Sequence, residues 1–279
     1  MKLEHFINTI NNSIQSITIS LKNGLYKFQE KNLGDSNIVV TNNSITLNNL
    51  FIASPDSYFN FSSDGTEIRS LTNLGSSQST FVIPKKISTL SEMLFFRNLN
   101  IQYIDMSFSN ITVLSKYEVN SGMSSAMFEY CENLKKVKLP LKLTTIGSYA
   151  FNTCKSLTKI DFPPKLTKIH NFAFSSTGLE EIFIPKTLKE IGADFQKNYF
   201  CTKVTIEEGC TITIQGLTFS NNSMLETVII PDSITFINSS AFRNSPNVKL
   251  YVSSIEMKNK LLSWNIDAVT EDRIIVQNN

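Results

Sequence analysis

Histidine, tryptophan, proline and glycine are all scarce in this chain of 279 residues, at two, one, eight and ten copies. Neither G-x-x-x-x-G-K-[ST] nor G-x-G-x-x-G occurs, so the phosphate-cradling loops of nucleotide-binding proteins are missing. So few Gly and Pro also exclude a collagen-like or linker-dominated chain. There is no excess of one charge: 26 Lys+Arg face 24 Asp+Glu, a formal net charge of +2. That balance carries no strong basic field and argues against a general nucleic-acid binder. Charged residues make up 18% and apolar ones 41%, too apolar a mixture for a disordered chain. No window reaches the roughly 18 apolar residues of a membrane span. The start, MKLEHFINTINNSIQSITIS, is interrupted by Glu4, His5, Asn8, Asn11 and Asn12, unlike the unbroken apolar run of a secretory signal. The end, DRIIVQNN, reads as no tail anchor. The location these ends predict is the cytoplasm.

The side chains that usually carry chemistry form no constellation. The four cysteines, Cys131, Cys154, Cys201 and Cys210, include no Cys-x-x-Cys pair. With two His, they give no spacing that would bring three or four zinc ligands together. Neither a metal nor a cofactor is expected. His170 has only Lys168 and Asn171 as sequence neighbours, and a catalytic histidine needs a nucleophile or carboxylate partner. The pairs Glu180-Glu181 and Glu207-Glu208 read as solvated charge. Six Asn-x-Ser/Thr sequons, at Asn11, Asn42, Asn60, Asn110, Asn221 and Asn238, are no more than chance supplies in a chain so rich in Asn, Ser and Thr. The expectation is a protein that is not an enzyme.

What is abundant is self-similarity. LKKVKLPLKLTTIGSYAFNTCKS begins at Leu134, LTKIDFPPKLTKIHNFAFSSTG at Leu157 and LEEIFIPKTLKEIGADFQKNYF at Leu179. A diverged row follows from Cys201, then LETVIIPDSITFINSSAFRNSP from Leu225 and NVKLYV from Asn247. Weaker rows begin at Phe81 and Ile101. The period of 22–24 residues falls in the range of a leucine-rich solenoid. Each row opens on alternating apolar residues, as a half-buried strand does. Proline at 84, 140, 163, 185 and 231 ends that strand, because it lacks the ladder N–H. A second apolar pair, such as Leu143/Ile146 or Leu166/Ile169, suggests a second short strand. The row closes on an aromatic at Phe95, Phe128, Phe151, Phe174, Phe195, Phe219 and Phe242, where a short helical turn is expected.

One row cannot fold alone. Five or six buried side chains contribute roughly 8–18 kcal/mol at most, whereas ordering about 22 residues costs roughly 33 kcal/mol. The rows must stack, with the phenylalanines in one buried ladder. Cys131 and Cys154 share a phase in consecutive rows. Two buried thiols acting as small hydrophobes are the favoured reading, and a disulfide is the alternative.

The pattern L-x-x-I-x-I-P-x-x-(L/I)-x-x-I-(G)-x-x-A-F resembles the BspA-like leucine-rich repeat family, found in certain bacteria, trichomonads and Entamoeba. The match covers about residues 80–252. It is weakest in the row from Cys201, where Glu207 replaces proline and Thr218 replaces Ala. The resemblance implies a right-handed superhelix that binds proteins, often as a surface adhesin for host or matrix proteins.

The expected organisation has three parts. Residues 1–72 read as a β-rich N-terminal cap or degenerate repeats, or alternatively a separate small domain. Possible strands are Ser16–Ser20 and Leu25–Phe28 about Lys22-Asn23-Gly24, and Ile38–Val40 and Ile45–Leu47 about Asn42-Asn43. Residues 73–252 form the array, with an insertion near 115–125. Residues 253–279 form a C-terminal cap, where Ser253-x-x-Glu256 has capping-box spacing and Ile255, Leu261, Leu262 and Trp264 could cover the last coil.

The residues flanking the central apolar residue of each first strand should face outward. Tyr103, Lys136, Lys138 and Lys159 occupy this face near one end, and Phe183, Ile229 and Tyr251 near the other. Exposed aromatic and aliphatic residues in one place suit a protein contact. The sequence therefore predicts a non-enzymatic scaffold or assembly component that binds proteins through an extended strand face. The alternative is a cell-surface adhesin. Neither nucleic acid nor membrane insertion is expected.

Overall fold

A computed structural model describes residues 56–115, 126–267 and 269–277, and the backbone of three strands before them. Those strands form an antiparallel sheet in which Ser44–Asn48 lies between Ser16–Ser20 and Asn37–Thr41. Ser16–Ser20 thus pairs with Ser44–Asn48. Leu25–Phe28, the turn at Asn42-Asn43 and residues 116–125 of the expected insertion lie outside the described residues.

From Phe59 onward the chain winds as a β-solenoid of about nine turns, mostly strand with little helix. Most coils contribute two short strands, and both kinds stack in parallel on counterparts in neighbouring coils. Thr80–Val82, Tyr103–Asp105 and Lys136–Lys138 form one sheet of first strands. Glu181–Ile184, Lys203–Ile206, Thr227–Ile229, Lys249–Val252 and Ile274–Val276 form another. Between them the coil from Leu157 has no first strand. That coil carries Pro164 after the usual proline, and so lacks the N–H that Leu141 gives to Ser107 O in the coil before. Its Phe162 ring turns edge-on to Phe174 at 5.6 Å.

The second strands run Val113–Leu114, Thr145–Ile146, Lys168–Ile169 and Glu190–Ile191 in one sheet, and Thr213–Ile214 with Phe236–Ile237 in another. Glu67–Leu71 pairs in parallel with Thr89–Leu90 and antiparallel with Phe59–Phe61.

A tight turn links the two strands of each coil. The Pro84, Pro140, Pro163, Pro185 and Pro231 carbonyls each accept from the N–H three residues on. In the diverged row Glu207 takes that place, accepting from Cys210 N–H, and Gly209 supplies a φ of +84°. Only glycine adopts such a φ without strain.

The closing segment, read from sequence as a short helical turn, is a run of overlapping turns. Asn152 N–H bonds to Tyr149 O and Cys154 N–H to Phe151 O. Helix cannot propagate because residues at left-handed φ flank the ladder phenylalanine. Arg97, Tyr130, Thr153, Ser176, Lys197, Asn221 and Asn244, each two residues past it, all have φ between 56° and 61°. Asn tolerates this region, but a β-branched residue does not. Thr153→Asn is therefore expected to raise stability by about 1 kcal/mol, measured by denaturant midpoint. An unchanged or lower midpoint would contradict the assignment of strain at Thr153.

The core holds two ladders. Phe95, Phe128, Phe151, Phe174, Phe195, Phe219 and Phe242 are each 0–1% exposed. Their rings stack face to face at 5.1–5.8 Å. Three residues further on, Cys131, Cys154, Thr177, Asn198, Asn222 and Ser245 form a polar column, also buried. Cys131 Sγ donates to Phe95 O, Cys154 Sγ to Phe128 O, Asn198 Nδ2 to Phe174 O, Asn222 Nδ2 to Phe195 O and Ser245 Oγ to Phe219 O. Five of the six thus satisfy the ladder carbonyl of an earlier coil, while Thr177 Oγ1 bonds to Phe174 O of its own coil. The four cysteines are free thiols. Burial pushes Cys131 and Cys201 up to about 12, which makes them inert.

One carboxyl interrupts the small residues that precede the phenylalanines. Asp194 is fully buried where other coils have Ala150, Ala173 and Ala241. Its Oδ2 accepts from Gly192 N–H at 2.7 Å. Oδ1 has no hydrogen-bond partner. The nearby Ala173 N–H is already given to His170 O. Burial raises its pKa well above the ordinary 3.8. A raised folded pKa makes its contribution most favourable below the unfolded value, and that contribution is lost as pH rises through the folded one. Asp194→Asn is expected to match the parent in stability near pH 3 and exceed it increasingly above pH 4. Asp64, Asp105, Glu207 and Asp272, all lowered, act oppositely but in both proteins alike. A parent–variant difference that does not change with pH would refute the assignment.

At the C-terminal end helix Ile255–Ser263 lies beside Lys249–Val252 and Ile274–Val276. Its cap is Ser254, whose Oγ accepts from Met257 N–H at 3.0 Å, one residue past the capping box read from sequence. The shift rotates the helix so that Met257 and Leu261 are buried while Ile255 is 68% exposed.

Candidate functional site

Strand alternation builds the exposed side of the first strands. Ile182 and Ile184 point into the core, so Glu181 and Phe183 point out. In-register pairing carries this down the array. Phe183 lies beside Thr205, Thr205 beside Ile229, Ile229 beside Tyr251 and Tyr251 beside Ile275. A second column, Glu181, Lys203, Thr227 and Lys249, runs alongside. Phe183 is 51% exposed, while Ile229 and Tyr251 are half-buried.

The other residues expected on this face lie elsewhere along it. Tyr103 pairs with Lys136, and Asp105 with Lys138, in the upstream sheet. Lys159 belongs to the coil without a first strand, paired with Asp161 at 3.4 Å. The structure thus divides the seven residues between two sheets and a coil without a first strand.

The upstream end is also less basic than its sequence. Lys138 Nζ lies 2.9 Å from Asp105 Oδ2, and Tyr103 Oη donates to the same oxygen at 3.0 Å. Burial raises the Asp105 carboxyl, but bonds from Ser107 and Lys138 outweigh it and hold the group below its usual range. Burial, then the Asp105 charge, raises the Tyr103 phenol. Lys136 has no carboxylate within ion-pair distance among the described residues.

The second-strand face carries a cleft of about 410 Å³ where Glu190–Ile191 and Thr213–Ile214 part. Among the described residues no ladder hydrogen bond crosses this seam. The spacing of the phenylalanine rings widens there too, from 5.3 Å at Phe174–Phe195 to 5.8 Å at Phe195–Phe219. His170, Asn171, Lys189, Thr211 and Gln215 line the cleft. Burial lowers the His170 imidazole below its usual range, against the Glu190 charge. Glu190 is itself paired with Lys168 at 2.8 Å. Thr213, Glu190 and Gly192 line it too, and no cysteine or serine does. Among the described residues no three His, Cys, Asp or Glu converge as metal ligands, and no helix is long and apolar enough to cross a membrane.

The buried Cys/Asn/Ser column was missed as a column in the sequence. Its signal was there: a small polar residue three places past every ladder phenylalanine.

A family model for a BspA type leucine-rich repeat region matches residues 121–249 in six copies. Among solved structures, the leucine-rich repeat protein TpLRR of T. pallidum has a TM-score of 0.59 at 20% identity, over 77% of this chain and 97% of that one. A leucine-rich repeat protein from Eubacterium ventriosum has a TM-score of 0.37 at 21% identity, over 63% and 54% of the two chains. The pneumococcal vaccine antigen PcpA has 0.38 at 16%, over 90% and 98%. No curated protein matches the chain. The likeness to TpLRR is one of fold. Residues 121–249 of this chain thus match a BspA type leucine-rich repeat region, and from residue 126 they wind as a β-solenoid.

Proposed function

We propose that this protein is a non-enzymatic scaffold that binds another protein through the face of its first strands. The observation that carries this reading is the column Phe183, Thr205, Ile229, Tyr251 and Ile275 on one sheet. Apolar side chains held outward by a rigid parallel sheet make a preorganised contact, and aromatics concentrate binding energy at interfaces. Lys136, Lys138 and Lys159 lie upstream on the same side beside Tyr103, and these charges act on encounter, because rim charges mainly change association rate. A repeat array in which no three His, Cys, Asp or Glu converge as metal ligands among the described residues suits binding better than turnover.

The test is partner capture from native lysate. Phe183→Ser/Tyr251→Ser is expected to lose the partner by at least about tenfold. Because Lys138 compensates buried Asp105, the basic end is tested with Lys136→Glu/Lys159→Glu. That variant should associate more slowly and with weaker dependence on salt. If both variants recover the same proteins in the same amounts as the parent, the strand face is not the binding site.

A further inference from the structure

We infer that the occupant of this face is an amphipathic helix of the partner, lying along the solenoid axis with acidic residues on one flank. The inference rests on the protein-binding reading above and specifies its partner. Its grounds are dimensions, spacing and charge.

The five strands from Glu181–Ile184 to Ile274–Val276 span four steps of about 4.8 Å, roughly 19 Å. Across them the outward residues occupy two columns about 6.7 Å apart. Such a strip, roughly 19 Å by 10 Å, offers about 190 Å² to a partner, well under the roughly 800 Å² per side of a stable interface between folded proteins. A second folded copy seated flat on it would be held weakly. A single helix, about 10 Å across, matches the width of the strip.

The spacing separates a helix from an extended chain. Apolar residues in a heptad pattern average 3.5 residues, about 5.3 Å along a helix. Over four steps that is about 21 Å against 19 Å, a mismatch that side chains such as Tyr251 absorb. An extended peptide along the same axis repeats its facing side chains every 6.6–6.8 Å, or about 2 Å out of step at every coil. It would meet Phe183 and then lose register before Ile229.

Charge then orients the helix. Lys203 and Lys249 stand in the second column, two strand steps or about 9.6 Å apart. Seven helical residues rise about 10.5 Å, so acids at i and i+7 reach both. Lys203 has no carboxylate within ion-pair distance among the described residues. Glu181, at the far end of that column, repels an acid there, which confines the acidic flank to the two lysines.

The test uses three fluorescent 15-residue peptides and the full chain in anisotropy titrations. The first has heptad leucines with Glu at the two flank positions. The second has Lys at those positions. The third is a scramble of the first without the heptad. The first is expected to bind at least about tenfold more tightly than either other peptide. Lys203→Glu/Lys249→Glu is expected to reverse the preference between the Glu and Lys peptides. Phe183→Ser/Tyr251→Ser should weaken binding of the first peptide at least about tenfold. Unchanged melting of both variants confirms that they are folded. If the scramble binds as well as the heptad peptide, yet both lose affinity on Phe183→Ser/Tyr251→Ser, the face binds but the helix is overturned. If neither face variant alters binding, both the helix and the strand-face reading fall. Absence of binding by every peptide overturns the helix and leaves the strand-face reading to partner capture.

Discussion

Phe174→Ala is expected to destabilise the whole array by about 3–5 kcal/mol. The Phe174 ring is sandwiched between Phe151 at 5.2 Å and Phe195 at 5.3 Å, within 9° of parallel to each, with Phe162 edge-on. It is 0% exposed. Removing it empties the middle of a continuous stack, and the coils on either side cannot close the gap. Their spacing is held by Phe151 N–H to Ala173 O and Phe174 N–H to Asp194 O. The loss should spread, because a coil in a solenoid derives its stability from its neighbours. Hydrogen exchange of the coils bearing Phe151 and Phe195 should accelerate along with that of the mutated coil. A variant melting within a degree of the parent would show that the ladder is not the core.

Asn198→Ala is the second large effect, expected at about 3–4 kcal/mol, and its origin is polar. The Asn198 side chain donates to Phe174 O and Phe195 O, both at 3.0 Å. It accepts from Thr177 N–H at 2.8 Å and Thr177 Oγ at 2.6 Å. All four bonds are internal, and Asn198 is 0% exposed. Truncation leaves Thr177 N–H buried without an acceptor and removes Asn198 as a donor to both carbonyls. Asn198→Ser should cost less, because Ser245 shows that a hydroxyl at this phase reaches the preceding carbonyl at 3.0 Å. The check is the order of denaturant midpoints: parent, then Ser, then Ala. Equal midpoints for the two variants would mean that the side chain fills space and does not bridge coils.

Much of this was legible before any fold was known. The phase of Phe95, Phe128, Phe151, Phe174, Phe195, Phe219 and Phe242 in the repeat placed all seven in one stack. Alternation in rows such as EIFI turned Phe183 outward. The candidate face was less legible. Sequence put Lys138 and Lys159 on it, and the structure closes Lys138 over Asp105 and pairs Lys159 with Asp161. The Asp105 partner lies 33 residues from Lys138, across the segment where the repeat is longest. No local pattern announces that pairing.

The sequence by itself determined the period, the inward and outward sides of each strand and the stack of phenylalanines. All three follow from local spacing repeated in register, because identical coils can bury their apolar residues only by superposition. The tertiary structure decided where the stacking is continuous. The first strands break at Pro163-Pro164, and the second strands part between Glu190–Ile191 and Thr213–Ile214. It also decided that Ser254 caps the last helix, that Asp194 is sealed inside, and that the Cys131-to-Ser245 column feeds carbonyls of the preceding coil. These depend on the distance between coils, which is set by the volumes packed between residues 20 to 36 positions apart. Periodicity shows which way a side chain points, but the partner it meets is supplied by another coil.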